Sequence, residues 1–207
     1  MAPEHAGQLE LLQIECYPTL ADNQRLKARH YLKHIELFPQ GQFVVLDGNK
    51  VVGMTTSMIV GEKEIHGPHT FDEFFAGGWL TPHNPAGDWL YGIDVGTAAS
   101  HRGRGVARAL YVARQDTVRR LGLKGQCTVG MLSGYGAVSG KIPAEEYYRQ
   151  LANGEIKDPT VSAQLKIGFK LDELIANYLD DPLCAGYGAR LILPADKKIA
   201  DSPDQYR

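Results

Sequence analysis

The sequence predicts a single α/β (α+β) domain in which helices flank a mixed sheet. Three observations carry that class. "QFVVLDGNKVVGMTTSMIV" is an antiparallel hairpin, two β-rich runs flanking the turn residues Asp47, Gly48 and Asn49. "DWLYGIDVG", a Gly/Arg-rich turn, a one-sided apolar helix and "QCTVGML" make a strand–helix–strand unit, and a crossover of that length makes its strands parallel. "KLDELIANYL" and "GYGARLILP" add two late strands.

Bulk properties agree with one domain. The chain has 207 residues, 43% hydrophobic and 22% charged, with a net charge of −2. So small a charge recruits neither nucleic acid nor an acidic membrane, and any anion site must be local. No apolar run approaches the roughly 20 residues of a membrane span, and "MAPEHAGQLE" lacks the basic and apolar regions of a signal peptide. Cys16, Cys127 and Cys184 are odd in number and far apart, as reduced thiols of a cytoplasmic protein are.

The elements follow in order. "GQLELLQIECY" sets Leu9, Leu12 and Cys16 at helical spacing, and Pro18 ends it. "LADNQRLKARHYLKHIELF" offers Asp22 or Asn23 as N-cap, with Leu26, Tyr31, Leu32 and Ile35 as the apolar side; Pro39 and Gly41 close that helix. After the hairpin, residues 61–88 are rich in Gly, Pro and His and predict an irregular insertion with one short helix near residues 71–75. The helix over residues 104–121 carries Val106, Leu110, Ala113, Thr117, Val118 and Leu121 on one side, and Gly122 suits its C′ position. "PAEEYYRQLANG" is a helix with Pro143 in its first turn. "DPTVSAQLKIGF" is another: Asp158 caps it, Pro159 begins it and Gly168 ends it. The domain is expected over residues 1–195, with a polar, frayed tail beyond it over 196–207.

The chemistry concentrates in "ASHRGRGVARAL". A helix start exposes about four unpaired N–H groups and a partial positive charge. Gly103 and Gly105 let an anion approach the backbone, and Arg102, Arg104 and Arg108 add charge. Residues 102–107 thus predict a pyrophosphate cradle. It is no Walker loop: "GYGAVSGKI" has the wrong spacing and puts Ile142 where Ser or Thr belongs. Nor is it a dinucleotide fingerprint, since Arg108 stands at the third glycine.

Arg102-x-x-Gly105-x-Ala107, between a strand and a helix, resembles motif A of the GNAT superfamily of acyl-CoA-dependent N-acyltransferases. The late helix ending in Gly168-Phe169 strengthens the likeness, which covers nearly the whole chain from Leu9 to Leu193. "HNPAGDWLYGIDV", "GEIKDPTVSAQLKIGF" and "NYLDDP…GYGARLIL" are similar to GNAT domains fused in some bacteria to a nitrilase-like amidohydrolase, a domain this chain is too short to carry. The resemblance implies a bacterial origin. It implies a twisted, mostly antiparallel sheet with a central parallel wedge between the family's fourth and fifth strands, here "LYGIDV" and "CTVGML".

The resemblance also implies acetyl-CoA as cosubstrate, no metal, and transfer of an acyl group to a small-molecule or peptide amine by direct attack in a ternary complex. The amides of Gly103, Arg104, Gly105, Val106 and Ala107, with Arg102, would hold the pyrophosphate. The pantetheine arm would pair near Ile93 and Val95, and the Val95 N–H would stabilise the oxyanion. Asp94 is read either as a base or as a structural carboxylate facing away from Ile93 together with Gly92; Tyr91 is another wedge candidate. The family's usual Tyr, four residues before Gly-Phe, is here Gln164, which lines the same position but cannot act as an acid. Protonation of the leaving thiolate then falls to Tyr135, Tyr178, solvent or nothing. The loop from Val95 to Arg102 is longer than usual, and the usual first strand is missing, so the sheet starts at Gln42.

Other features are weighed against this. His66, His69 and His83 near Asp72 and Glu73 lack the spacing of a metal site. Residues 61–88 read either as an acceptor-site lid, with Phe74, Phe75 and Trp79 as its wall, or as plain cover for the sheet. His101 reads as a phosphate contact or a solvated loop residue. Glu145, Glu146, Tyr147 and Tyr148 read as acceptor-pocket residues or as a solvated helix face. No basic stripe aligns with the aromatic residues, so no nucleic-acid partner is expected. A homodimer is left open. The alternative function is a CoA-binding regulatory module with little or no turnover.

Overall fold

Six strands form one sheet in the spatial order β1-β2-β3-β4-β6-β5, in a computed structural model that describes residues 1–67 and 69–199. The strands are β1 (Phe43–Asp47), β2 (Lys50–Val60), β3 (Trp89–Thr97), β4 (Gly125–Met131), β5 (Lys170–Ile175) and β6 (Gly188–Pro194). Only β3 and β4 run parallel; every other neighbouring pair is antiparallel. The parallel pair is therefore the third and fourth strands of this chain, because among the described residues no strand precedes the first helix. Asp47 pairs with Lys50 across Gly48 and Asn49, and Gly48 takes the positive φ of 57° that such a tight turn requires.

Helices cover both faces. Helices α1 (Ala6–Cys16) and α2 (Ala28–Leu37) lie on one face, and α5 (Val106–Arg120) lies on the other. Two adjacent residues of β2 show this. Met54 accepts a contact from the Tyr31 hydroxyl of α2, whereas a side chain on Gly53 would strike Val106 of α5. Leu9, Leu12 and Tyr31 are almost fully enclosed between α1, α2 and the sheet. Each such side chain contributes roughly 1.5–3 kcal/mol by leaving water.

Helix α2 corrects one expectation. It starts at Ala28, whose N–H donates to Glu10, while His30 accepts from the Lys27 N–H. Asp22 and Asn23 lie in turns before it and do not cap it. Its buried side is His30, Tyr31 and His34; Leu32 is 45% exposed. Pairing the imidazoles with partners let polar residues take the inner face.

Between β2 and β3 sit α3 (Glu62–Ile65) and α4 (Phe71–Phe74), the second capped by Thr70, whose hydroxyl oxygen accepts from the Glu73 N–H. After β4 come α6 (Ala144–Ala152) and α7 (Val161–Ile167). Asp158 caps α7 by accepting from the N–H groups of Thr160 and Val161, both at 2.9 Å, and Gly168 ends it at φ 119°. Ala195 and Lys197 are bonded to Lys124 and Pro194, and the Lys197 carbonyl accepts from Gln115 and Arg119. The chain is thus held as far as Lys197, past the Ala195 where fraying was expected; residues 200–207 lie outside the described residues. No described helix is long and apolar enough to cross a membrane.

Candidate active site

The pairing of β3 with β4 runs from Trp89 opposite Gly125 to Gly92 opposite Thr128 and then stops. Both strands continue: β3 by residues 93–97, β4 by residues 129–131. Two strands that diverge leave unpaired backbone in the gap. At about 3.3 Å per residue the β3 side of that gap is roughly 16 Å long. The gap belongs to a cleft of about 730 Å³ that also reaches the start of α5 and one side of α7.

A β-bulge orients the β3 side. Thr56 pairs with Asp94 and Ser57 with Gly92, so Ile93 is one residue too many. The bulge reverses the alternation of side chains. Gly92 faces α5, where a Cβ would overlap the Arg114 guanidinium, while Asp94 faces α2 and Tyr31. The expectation that Gly92 and Asp94 share a face fails for this reason.

Val95 faces the gap with its backbone. Ala98 N–H donates to the Val52 carbonyl at 2.9 Å, which fixes the hydrogen-bonded phase of the β2–β3 ladder. Two residues per period make Met54–Gly96 a bonded pair and Thr55–Val95 a non-bonded one. The N–H and C=O of Val95 therefore point away from β2. The carbonyl accepts from the Tyr17 hydroxyl at 3.1 Å.

At the other end of the cleft, Gly103 and Gly105 adopt φ 75° and 81°, a region most side chains avoid. Gly105 is the N-cap of α5 and supplies no side-chain cap. The N–H groups of residues 103–107 have no acceptor among the described residues. Arg102, Gly103, Gly105, Val106, Ala107 and Lys166 line this end, together with His101, which also pairs with Asp47 at 3.1 Å. The Arg104 side chain is exposed and does not line the cleft.

Asp94 is the only carboxylate lining the cleft among the described residues. Its Oδ1 accepts from the Thr56 N–H at 2.7 Å and the Thr56 hydroxyl at 2.8 Å, and its Oδ2 from Tyr31 at 3.4 Å. Burial outweighs these bonds and raises its pKa. Gln164 is buried at the β4 side. Its Nε2 donates to the Tyr111 hydroxyl at 3.0 Å, and its Oε1 has no partner among the described residues and rests against Gly130.

Several candidates fall elsewhere. Tyr91 does not line the cleft: its ring packs among Phe74, Phe75 and His69, and its hydroxyl meets His69 Nε2 at 3.0 Å. Phe74 and Phe75 are committed to that cluster, and Trp79 stands against His30 of α2, so among the described residues of the insertion Phe71 alone lines the cleft. Tyr135 donates to the Ile142 carbonyl, away from the cleft. Glu146 pairs with Arg149, and Tyr147 donates to Asp158, so α6 takes no part. Burial raises the Cys16 thiol to about 11, which keeps it unreactive although it lines the cleft. No group of three or more potential metal ligands occurs among the described residues.

Sequence reasoning missed Tyr17, Tyr111 and Arg114. The last two follow Ala107 at intervals of four and three, one helical face descending from the cradle. That spacing was the available signal. An arginine on a buried face hid it.

A sheet splayed between parallel strands, opening on a glycine-bounded helix start, defines the GNAT-type acyltransferases as the class. The chain belongs to the acetyltransferase (GNAT) family, whose model matches residues 8–132. It is 34% identical over 170 residues to the "Probable hydrolase YhcX" of Bacillus subtilis (strain 168), covering 82% of this chain and 33% of that protein. The chain thus spans about a third of that relative's length, in accord with the likeness to GNAT domains joined to a hydrolase. It is 26% identical over 178 residues to the "Uncharacterized N-acetyltransferase YkwB" of the same organism, covering 86% of this chain and 79% of that one. A solved structure of similar fold is the GphF GNAT-like decarboxylase in complex with isobutyryl-CoA, with a TM-score of 0.79, 20% identity and coverage of 94% and 97%.

Proposed function

We propose that this chain transfers an acetyl or similar short acyl group from acyl-CoA to a primary amine, both bound together in the cleft, with residues 1–195 acting as one domain. The observation that carries the reading is the splay of β3 from β4 onto the unpaired amides of α5. The residues present fit the carrier. Five N–H groups without an acceptor among the described residues, in a cleft that Arg102 and Lys166 also line, suit a diphosphate. Unpaired strand backbone suits an amide-bearing arm.

When bound, the thioester supplies the activated acyl carbon. The amides of Gly103 to Ala107 hold the phosphates, and Ile93 and Val95 align the arm. The Val95 N–H, with no partner on β2, meets the negative charge that develops on the carbonyl oxygen. Asp94 accepts the proton the amine sheds, through Oδ2 and an intervening water. Phe71, Leu20 and Leu179 make the acceptor end apolar, so the amine is carried on a hydrophobic body. Tyr91 supports the floor of the site from below.

A second reading has its own support. The likeness to a GNAT-like decarboxylase extends over 94% of the chain, and Gln164 removes the family's usual acid. Loss of CO2 from a carboxyacyl-CoA would leave the C–S bond intact, so no thiolate would need an acid and only the enolate carbon would take up a proton. A CoA-binding module with little turnover is the third arm of the same test.

Calorimetry with acetyl-CoA, then thiol release over a panel of amines, separates these. Saturable amine-dependent release supports transfer. Release of CO2 from a carboxyacyl-CoA such as malonyl-CoA, with no thiol freed, supports the second reading, and binding with neither release the third. Ala107→Glu is the structural control: a carboxylate in the first turn suits the helix yet intrudes on the phosphate site. It should keep the melting temperature and abolish binding. Unchanged affinity would refute the cradle.

A further inference from the structure

Departure of an acyl group leaves a thiolate, and the residue at the family's usual position for protonating it is Gln164. Four tyrosines other than Tyr91 come near the question, and their hydrogen bonds divide them. Tyr17 donates its proton to the Val95 carbonyl, and Tyr135 donates to Ile142 outside the cleft. Tyr178 lines the cleft against Phe71 and His69; its hydroxyl meets that of Tyr91, and no cation acts on it among the described residues. Tyr111 lines the cleft from the second turn of α5, one turn below the cradle.

The Tyr111 hydroxyl differs from the others in having an amide donor and a guanidinium beside it. It accepts from Gln164 Nε2 at 3.0 Å, and no acceptor among the described residues takes its own proton. Gln164 is itself fixed, 5% exposed, with its Oε1 against the backbone of Gly130 in the splayed part of β4. The Arg114 guanidinium lies 5.2 Å from the Tyr111 ring centroid. Arg114 has no exposed surface, and its Nε and Nη1 have no partner among the described residues. A buried, under-bonded cation beside a phenol favours the phenolate.

We propose that Tyr111 is the catalytic acid of this chain, giving its hydroxyl proton to the CoA sulfur, with Gln164 and Arg114 as positioning residues that orient the hydroxyl and stabilise the phenolate. This rests on the acyl-CoA reading above. The C–S bond breaks with its electron pair on sulfur, the Tyr111 O–H bond breaks, and an S–H bond forms. Water at the open cleft mouth then returns a proton to the phenolate. The usual side chain has in effect been replaced by two: an amide at position 164 and a phenol one helix away. Burial raises the Tyr111 pKa, while Arg114 and Gln164 oppose that rise, which keeps the phenol protonated and ready to donate.

The test reads the sulfur directly. CoA and desulfo-CoA are bound in turn to the wild type, Tyr111→Phe, Gln164→Ala and Tyr178→Phe, with affinities from calorimetry. The ultraviolet difference between the two complexes, followed against pH, gives the pKa of the bound thiol. A hydroxyl that donates to sulfur holds that pKa down. Tyr111→Phe should raise it by about one unit and lower kcat about 100-fold, with less than a threefold change in CoA affinity. Gln164→Ala should give a smaller change in the same direction, and Tyr178→Phe none. Equal thiol titrations in wild type and Tyr111→Phe overturn the assignment, as does a shift confined to Tyr178→Phe or a Gln164→Ala effect that Tyr111→Phe lacks. Absence of CoA binding by the wild type would instead overturn the acyl-CoA reading itself.

Discussion

Replacing Arg114 with Met should stabilise the fold while impairing acyl transfer. Arg114 is enclosed on every side, in the middle of α5. Its one hydrogen bond among the described residues runs from Nη2 to the Cys127 carbonyl at 3.5 Å, the edge of the useful range. No carboxylate among the described residues stands within ion-pair distance of it. Burial holds its pKa below the usual arginine value, yet a guanidinium stays charged. Desolvating such an ion costs several kcal/mol. One long hydrogen bond offsets about 1 kcal/mol of that, and the contact with the Tyr111 face offsets up to about 2 kcal/mol. Methionine is unbranched, apolar and flexible enough to follow the same path, so Arg114→Met should gain roughly 1–3 kcal/mol. Urea unfolding followed by tryptophan fluorescence would show a higher midpoint at unchanged slope, and melting would rise by about 2–4 °C per kcal/mol. The same variant should lose at least about tenfold in kcat, within the range that one acid–base group contributes. A destabilisation of about 3–5 kcal/mol would refute the reasoning, because that is the cost of orphaning one member of a tight buried ion pair. Asp94 and Arg114 would then be partners and not distant neighbours.

Asp94→Asn should lower kcat and remove the acid limb of its pH profile, a limb that burial places above the ordinary carboxylate range; a wild-type profile would reduce Asp94 to a strut for Thr56. Asp158→Ala should destabilise by roughly 3–5 kcal/mol, since it orphans the N–H groups of Thr160, Val161 and Gly134 and the Tyr147 hydroxyl; calorimetric melting checks this, and a loss below 1 kcal/mol counts against the cap. His34 is held neutral, with its pKa pushed down by burial from 6.5 to about 4. Its folded pKa lies below its unfolded one, so its contribution is complete above pH 6.5 and is lost as pH falls toward 4, by about 3 kcal/mol. His34→Gln should flatten the acid side of the stability curve, and an unaltered slope between pH 6.5 and 4 would contradict the assignment.

The chain's punctuation was legible because it is local. Gly48 turns the hairpin, Gly105 opens α5, Gly122 closes it at φ 68°, and Gly168 ends α7. Each solves a backbone problem set by its immediate neighbours. The glycine-bounded start of α5 could be read for the same reason: two glycines and a helix N-terminus are features of a few neighbouring residues. Amphipathic spacing was less reliable. It put Leu32 of α2 and Leu121, the residue after α5, inside, and both are exposed, while His34, Arg114 and Gln115 are buried. A polar side chain goes inside when a partner from a distant segment meets it, as the Gly78 carbonyl meets His34, and no periodicity records that.

The sequence by itself therefore determined the order of helices and strands, the turns between them and the glycine-bounded start of α5, since all of these depend on contacts within a few residues. The tertiary structure alone decided which side chains share the cleft. One extra residue in β3, Ile93, separates Gly92 from Asp94 by a whole face of the sheet. The packing of α5 against α7 brings Tyr111 to Gln164 across 53 positions of the chain. Long-range register and helix packing set such neighbours, and they are fixed only when every strand has found its partner.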